Sequence, residues 1–368
     1  MSTKKDKFTS RDKFYMEIAL DLAKSRHGLT GSNPSVGCVI VKNDKIISIG
    51  QTSFNGRPHA EFNAIKNSFQ DLKGSKMYVT LEPCCHHGLT PPCTDSIIKS
   101  KISEVIYSVT DIDKRVRNKS LKILRSKKII VKKGLLKSRI ESFYFPYFFN
   151  RKKKLPFVTG KIAVSKNNII YSTVQKKITN VYSDKFTHML RYQNDGLIIT
   201  YKTLNKDNPR LNCRLKGLEN FSPKRIILDK DLDIDLNTYI IKSVKKDNTI
   251  IFHNSVNNAK IKLLKKRGVI LIKLKLNNKK RFDLKNVLKK IFVLGIRYLI
   301  VEGGDKITKS MLKGRLINKF YLFKSSKNLL KTKNSVTFTS KNVLMNNYKF
   351  KIKETSKLAK DKISIYIR

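Results

Sequence analysis

The sequence has no tryptophan and only seven alanines in 368 residues. Acidic side chains are also scarce: 27 Asp and Glu stand against 79 Lys and Arg, a formal net charge of +52. No apolar run approaches the roughly 18 residues needed to span a bilayer, and the opening residues carry no apolar stretch of the signal-peptide kind. A membrane-spanning or exported protein is therefore not expected, and a soluble cytoplasmic one is. Cysteine is limited to five residues, Cys38, Cys84, Cys85, Cys93 and Cys213. Three of them fall within ten residues of one another, beside His86 and His87. In an unexported chain that clustering points to a metal or to catalysis rather than to a disulfide framework.

What is present excludes a disordered polycation. Hydrophobic residues make up 40% of the chain, with 19 Phe and 14 Tyr. At ~100–200 residues per domain, the length predicts two domains, each able to bury its own core. The positive charge is spread rather than focused. Residues 1–150 carry a net +14 and residues 151–368 a net +38, while residues 51–100 hold five basic side chains against four acidic ones. Abundant Lys, Asn and Ile with few Ala is the bias an AT-rich coding sequence produces. A nucleic-acid footprint would cluster near its site. The expected partner is a small molecule, with no specific nucleic acid and no membrane; a homo-oligomer is left open.

Residues 13–26 place Phe14, Ile18, Ala19, Leu22 and Ala23 on one helical face. Residues 36–41 read as a buried strand, Asn43 and Asp44 as its turn, and residues 46–49 as the return strand. A short helix follows His59, then a strand at 77–81, then the Cys/His/Pro segment, with Thr94 or Asp95 as candidate N-cap of the next helix. A strand at 105–109 and further helix–strand alternation extend the first domain, and aromatic residues 143–149 read as the core-facing end of a helix. The charge run 151–154 followed by Pro156 marks a boundary. Later strands at 157–164, 197–200, 225–229, 249–252, 269–272 and 297–301, with helices between several, make the second domain α/β as well. The Lys/Asn-rich pieces at 243–248 and 276–281 read as solvated loops.

The chemistry concentrates in the first domain. His59-Ala60-Glu61 is followed by Pro83-Cys84 and then by Cys93. One His and two Cys suffice for a catalytic zinc, which leaves its fourth position to water. Glu61, two residues beyond His59 at a helix start, would not bind the metal but would carry protons between water, a ring nitrogen and departing ammonia. H-x-E with a distant P-C is the zinc deaminase pattern. A purely structural zinc site has no use for Glu61 and normally closes with a fourth protein ligand.

Eight residues separate Cys84 from Cys93, where nucleoside and tRNA deaminases usually read P-C-x-x-C. The segment Pro83–Cys93 resembles the riboflavin-biosynthesis deaminase family, whose signature is P-C-x-H-H-G-x-T-P-P-C, and the match extends to residues 33–39 and 80–82. By that resemblance His59, Cys84 and Cys93 are the zinc ligands and Glu61 the proton shuttle. Asn33, His86 and His87 would shape the pocket, and Cys85 would be a bystander. The resemblance implies a cytidine-deaminase-like α/β/α domain over residues 1–150 and, in bifunctional members, a dihydrofolate-reductase-like α/β domain, here 151–368. Residues 158–161, Ser165, Ile178 and Thr179, then 207–214 and 299–304, match the reductase in order. The implied cofactor is NADPH, contacted by Ala163, Thr203, Asp207 and Gly304. The implied substrate contacts are Asn33, Gln175, Arg191, Leu211, Arg214 and Glu302. Read from physics alone, residues 299–304 are a strand ending in Gly303-Gly304 before a helix at 305–313, a junction that can hold a pyrophosphate on free N–H groups.

The reading implies two successive reactions. Zinc-dependent hydrolysis would remove the 2-amino group of a diaminopyrimidinone ribosyl phosphate, and NADPH would then reduce the ribosyl group to ribityl. The chain departs from the family at Leu89, usually basic, and at residues 111–113, usually Asp-Pro-Asn. Asn167 and Asn168 stand where the reductase opening usually has Asp-Gly, and Lys177 stands in place of a Trp. None of these touches the zinc chemistry. The rival readings are a zinc deaminase acting on RNA or a free nucleoside with a degenerate reductase half, and a non-enzymatic zinc scaffold.

Overall fold

The computed structural model describes residues 6–172, 174–175, 177–245, 248–345 and 351–368. The chain forms two compact units that divide between Lys154 and Leu155. The first contains α1 (Ser10–Ser25), β1 (Gly37–Lys42), β2 (Lys45–Gln51), α2 (Ala60–Lys66), β3 (Lys76–Leu81), α3 (Cys93–Lys99), β4 (Glu104–Val109), α4 (Lys119–Ser126), β5 (Ile130–Lys133) and α5 (Lys137–Lys153). Its sheet runs β2-β1-β3-β4-β5, antiparallel among the first three strands and parallel from β3 to β5.

The β1–β2 hairpin turns at Asn43 and Asp44, both at positive φ as a two-residue type I′ turn requires. Two glycines set the distance between this sheet and its helices. A Cβ on Gly37 would fall 1.8 Å from the Ala19 carbonyl oxygen, and one on Gly50 would fall 2.2 Å from that of Ala60. The backbones of α1 and α2 therefore lie directly against β1 and β2. Ala19, Ala23, Ala60 and Ala64, four of the seven alanines, supply the small faces that permit it. The buried face of α1 is turned one position from the expected one. Tyr15, Met16, Ala19, Leu20 and Ala23 are buried, whereas Phe14 is 57% exposed. Tyr15 is drawn inward because its ring packs on Tyr78 and its hydroxyl donates to the Asp44 carbonyl at 2.8 Å. Of the aromatic run in α5, Tyr144 and Tyr147 are buried. The Tyr144 hydroxyl lies 2.6 Å from Thr80 Oγ1 and donates to the Ser35 carbonyl, which ties the helix to the sheet.

The second unit contains β6 (Phe157–Val164), β7 (Ile169–Tyr171), α6 (Val181–Tyr192), β8 (Gly196–Thr200), α7 (Tyr201–Asp207), β9 (Lys224–Leu228), α8 (Tyr239–Lys242) and β10 (Thr249–His253). It continues with α9 (Asn258–Lys266), β11 (Ile270–Lys273), α10 (Leu284–Val293), β12 (Tyr298–Val301), α11 (Asp305–Lys313), β13 (Lys319–Lys324), β14 (Val336–Thr337), α12 (Lys341–Met345), β15 (Lys351–Leu358) and β16 (Asp361–Ile367). Its main sheet has the order β11-β10-β9-β8-β12-β6-β13-β16-β15. It is parallel from β11 to β13 and antiparallel through β16 and β15. Separate apolar clusters cover its two faces, as a buried parallel sheet demands. The antiparallel end was not among the strands expected from sequence. Of the two Lys/Asn-rich loops, 276–281 is exposed apart from Leu276, whose bridge to Phe282 closes it, and positions 246 and 247 lie outside the described residues. Among the described residues no helix is long and apolar enough to cross a membrane.

Candidate functional site

His59 is the N-cap of α2, in extended geometry, so its ring is released from the helix while Glu61 enters the first buried turn. Cys84 follows β3. Cys93 is the first residue of α3, whose N-cap is Pro92; Thr94 and Asp95 lie inside the helix rather than capping it. No side-chain cap is needed there, because Cys84 takes the free donors. Cys93 N–H donates to Cys84 Sγ at 3.3 Å, and Thr94 N–H donates to the Cys84 carbonyl at 3.1 Å.

His59 Nδ1 lies 3.5 Å from Cys84 Sγ and 3.4 Å from Cys93 Sγ, and the three ligand atoms lie within 4.8 Å of one another. Tetrahedral zinc with Zn–S of about 2.3 Å and Zn–N of about 2.05 Å sets N and S roughly 3.6 Å apart. The residues fit the metal. The thiols are already divided in role. The hydrogen bond from the Cys93 thiol, helped by His59 and the Cys93 N–H and opposed by burial, holds Cys84 at a pKa of about 4. Cys93, which donates that bond and is buried beside Glu61, is pushed well up. The pair shares a proton that a cation would displace. Burial pushes the Glu61 carboxyl to about 7, with His59 opposing. All five cysteines are free thiols.

Around this centre, Asn33 donates to the Gly56 carbonyl at 2.9 Å and fixes the loop before His59. His86 is partly buried, and His87 is exposed. Two residues escaped the sequence reading. Glu82, buried, accepts from Ser120 Oγ at 2.5 Å and from the N–H groups of Asn118 and Asp111, and so holds the 111–118 loop in place. Arg57 donates to Thr90 Oγ1 at 2.6 Å, and its Nη1 stands 3.4 Å from His59 Nε2. A signal existed for both, since Glu82 closes the Thr80–Glu82 match and Arg57 is a basic residue two positions before His59.

In the second unit Arg191, on α6, meets Glu302, just past β12. Nε and Nη2 each donate to a different carboxylate oxygen at 2.8 Å, and both side chains are nearly buried. Burial alone would raise the Glu302 pKa, but Arg191, with Lys161 and His188, outweighs it and holds the group below its ordinary value. Arg191 Nη1 also donates to the Asn212 carbonyl. Leu211 is buried at φ +50°, a conformation costly for an L residue, within this braced segment. A cavity of about 360 Å³ is lined by Arg191, Pro209, Arg210, Leu211 and Arg214. The structure thus gathers Arg191, Leu211, Arg214 and Glu302, and adds Arg210, which sequence reasoning did not single out.

Gly304 is the N-cap of α11, at φ −63° and ψ 178°, so no backbone constraint demands glycine. A Cβ there would meet a single neighbour, Thr203 Oγ1, at 3.9 Å. The space beside Gly304 and Thr203 is open, next to the N–H groups of a helix start, which suits a nicotinamide cofactor's phosphates. Ala163 lies on β6, the strand paired with β12. Asp207 ends α7 exposed, and Gln175 is exposed on the loop after β7, between two positions outside the described residues. The Asn167–Asn168 departure is absorbed locally. Asn168 sits at φ +61°, which Asn tolerates next best to Gly, and Asn167 bonds Leu329 through both its amide atoms.

Comparison with known proteins agrees with this geometry. Residues 9–109 match the family model of the cytidine and deoxycytidylate deaminase zinc-binding region, and residues 161–363 match that of the RibD C-terminal domain. The riboflavin biosynthesis protein RibD of Aquifex aeolicus is 36% identical over 314 residues, covering 85% of this chain and 86% of that one. Its counterpart from Actinobacillus pleuropneumoniae is 34% identical over 317 residues, covering 86% and 84%. Among solved structures, Acinetobacter baumannii RibD superposes with a TM-score of 0.84 at 25% identity, covering 97% of this chain and 98% of that one. The diaminohydroxyphosphoribosylaminopyrimidine deaminase/5-amino-6-(5-phosphoribosylamino)uracil reductase of Thermotoga maritima gives 0.80 at 27% identity with the same coverage.

Proposed function

The chain belongs to the RibD family of riboflavin-biosynthesis proteins, a deaminase joined to a reductase, and from that premise we infer the substrate, cofactor and residue roles. The deaminase half, residues 1–154 rather than the 1–150 expected from sequence because α5 runs on to Lys153, hydrolyses the 2-amino group of 2,5-diamino-6-(5-phosphoribosylamino)pyrimidin-4(3H)-one. The reductase half, residues 155–368, reduces the ribosyl group of the product to ribityl with NADPH. The observation that carries this reading is the presence, in one chain, of the His59–Cys84–Cys93 cluster beside buried Glu61 and of an arginine-lined cavity in the second unit. Deamination of RNA or of a free nucleoside is not favoured, since the match to the reductase family spans residues 161–363.

His59, Cys84 and Cys93 hold zinc, which when bound supplies the Lewis acid that makes water nucleophilic near neutral pH. Glu61 takes the proton of the attacking water at its carboxylate, passes one to a ring nitrogen and protonates the departing ammonia. Its burial beside the ligands keeps bulk water from competing for that proton. Asn33 keeps the pocket loop in register. In the reductase half Gly304 lets backbone N–H groups approach the cofactor phosphates, with Thr203 beside it, and Asp207 and Ala163 complete the cofactor contacts. Arg214 takes the polar end of the substrate, Arg191, oriented by Glu302, turns its remaining N–H groups to the same end, and Leu211 and Gln175 flank the ligand.

Two assays on two variants test the assignment. Glu61→Gln keeps about one zinc per chain, loses ammonia release, and still oxidises NADPH when given pre-deaminated substrate. Gly304→Val does the converse. Loss of both activities in a folded Gly304→Val protein overturns the division of labour, and faster turnover with NADH than with NADPH overturns the cofactor.

A further inference from the structure

We infer that Arg57 binds the phosphate of the deaminase substrate beside the turn at residues 86–90, an inference that rests on the phosphorylated substrate proposed above. The tautomer of His59 follows from the atom it turns to the thiols. Its Nδ1 is the atom facing both thiols. A ring that gives the Nδ1 lone pair to a metal carries its proton on Nε2. Nε2–H is then a donor, and the group facing it at 3.4 Å is Arg57 Nη1, also a donor. Two donors cannot bond each other. They converge on a point that an acceptor with several lone pairs would satisfy.

Arg57 is otherwise poorly provided with acceptors. It donates to Thr90 Oγ1 at 2.6 Å, and among the described residues no carboxylate forms an ion pair with it. Its Nη2 lies 3.8 Å from the point where a Cβ on Gly88 would sit, and His86 Nε2 lies 4.0 Å from the same point. His86 Nδ1 is buried without a hydrogen-bond partner. Nitrogens of Arg57 and His86 therefore flank one glycine turn, with His59 Nε2 on the other side of the Arg57 guanidinium, while the neighbouring Leu89 is 89% exposed and offers no charge. A phosphate presents several acceptor oxygens at a spacing that a planar guanidinium matches two at a time. Gly88 leaves the space in which it would rest. A dephosphorylated riboside leaves these donors unmet, so Arg57 selects for the phosphorylated substrate.

The rival role for Arg57 is a brace on Thr90, and the experiment separates the two. Zinc-loaded wild type, Arg57→Ala, Arg57→Lys and Thr90→Val are compared for zinc content, for KM and kcat on the phosphorylated pyrimidine and its dephosphorylated riboside, and for inorganic phosphate binding by calorimetry. The expected result for Arg57→Ala is unchanged zinc, little change in kcat, and a KM for the phosphorylated substrate about 10- to 100-fold higher. Its KM for the riboside stays put and phosphate binding is lost. Arg57→Lys retains part of the discrimination, which keeps the test valid if Arg57→Ala folds poorly. Thr90→Val keeps the discrimination. An unchanged KM ratio between the two substrates in Arg57→Ala, or a Thr90→Val protein that copies it, overturns the inference. A wild type that binds inorganic phosphate through Arg57 but releases no ammonia from the pyrimidine overturns the proposed substrate and leaves the anion site standing.

Discussion

A single methyl group, added at position 303 or at position 304, separates packing from cofactor binding. At Gly303 the new Cβ would lie 2.1 Å from Ile307 Cγ2, well inside contact distance. That methyl hangs directly from the Cβ of a β-branched residue in α11, where one χ1 rotamer is strongly preferred, so it cannot swing aside. Ile307 is 6% exposed and belongs to the core of the second unit, so relief requires the helix itself to shift. Overpacking of this kind costs about 1–3 kcal/mol. At Gly304 the new Cβ meets Thr203 Oγ1 at an ordinary 3.9 Å, with backbone angles open to any residue. The expected cost is about 0.5 kcal/mol, the difference between Gly and Ala at an N-cap. Gly304→Ala should nevertheless bind NADPH about tenfold more weakly, because the methyl occupies the approach to the helix N–H groups. Urea unfolding of the cofactor-free protein and titration of the cofactor's own fluorescence read the two effects. Ile307→Leu, which removes Cγ2, should restore part of the stability of Gly303→Ala. The reasoning fails if Gly304→Ala unfolds as early as Gly303→Ala, or if it binds NADPH as well as the parent does.

Cys93→Ala should lower bound zinc from about one per chain to near zero by metal analysis, since two ligands remain where at least three are needed; full occupancy would remove Cys93 from the ligand set. Glu302→Ala strands the buried Arg191 guanidinium and should destabilise the second unit by about 3–5 kcal/mol, and a loss below about 1 kcal/mol would mean that water screens the pair. Burial raises the Asp195 carboxyl to about 6, against the N–H groups of Tyr298 and Arg297 that it accepts. A carboxyl whose folded pKa is raised favours the fold at low pH, and that advantage fades as pH climbs from about 4 through 6. Wild-type stability relative to Asp195→Asn should fall across that window and level off above it; parallel pH profiles would contradict the shift.

The zinc centre was legible because its chemistry is tied to residue identity: few side chains can replace His59, Cys84 and Cys93, and their sequence spacing is short. The Gly303–Gly304 junction and its following helix were legible for a related reason, since an apolar strand ending in two glycines admits few alternatives. Arg57 was not, because nothing distinguishes one arginine among 79 basic residues until its neighbours are known. Glu82 escaped similarly, as its partners Asp111, Asn118 and Ser120 come together only through the loop it orders. The antiparallel strands β15 and β16 were not among the expected strands: β15 is mostly Lys, Ser, Thr and Glu, and β16 is a short Ile/Tyr alternation at the end of a basic stretch. β16 is held by pairing with β13 and by burying Ile363 and Tyr366, and β15 is held by pairing with β16. The face of α1 was misread by one position because Phe14 is the more hydrophobic of two adjacent aromatics, whereas Tyr15 has a hydroxyl that finds the Asp44 carbonyl.

Asp361 opens β16, and its carboxylate accepts from the Asn180 N–H and from Ser183 Oγ, both at 2.8 Å, at the start of α6. The helix that carries Arg191 is thus fastened by a residue 181 positions downstream. A ribosome adding roughly 5–20 residues per second needs on the order of 10–40 s to travel from the end of the first unit to that point. During this interval every strand of the deaminase sheet is already available to pair, and His59, Cys84 and Cys93, which the structure brings together, can close on a metal. The reductase half must wait, with β6 exposed and its partner β13 not yet supported by β16. Birth order therefore matches reaction order, and a chain interrupted before residue 361 should emerge as a working deaminase attached to an unfinished reductase.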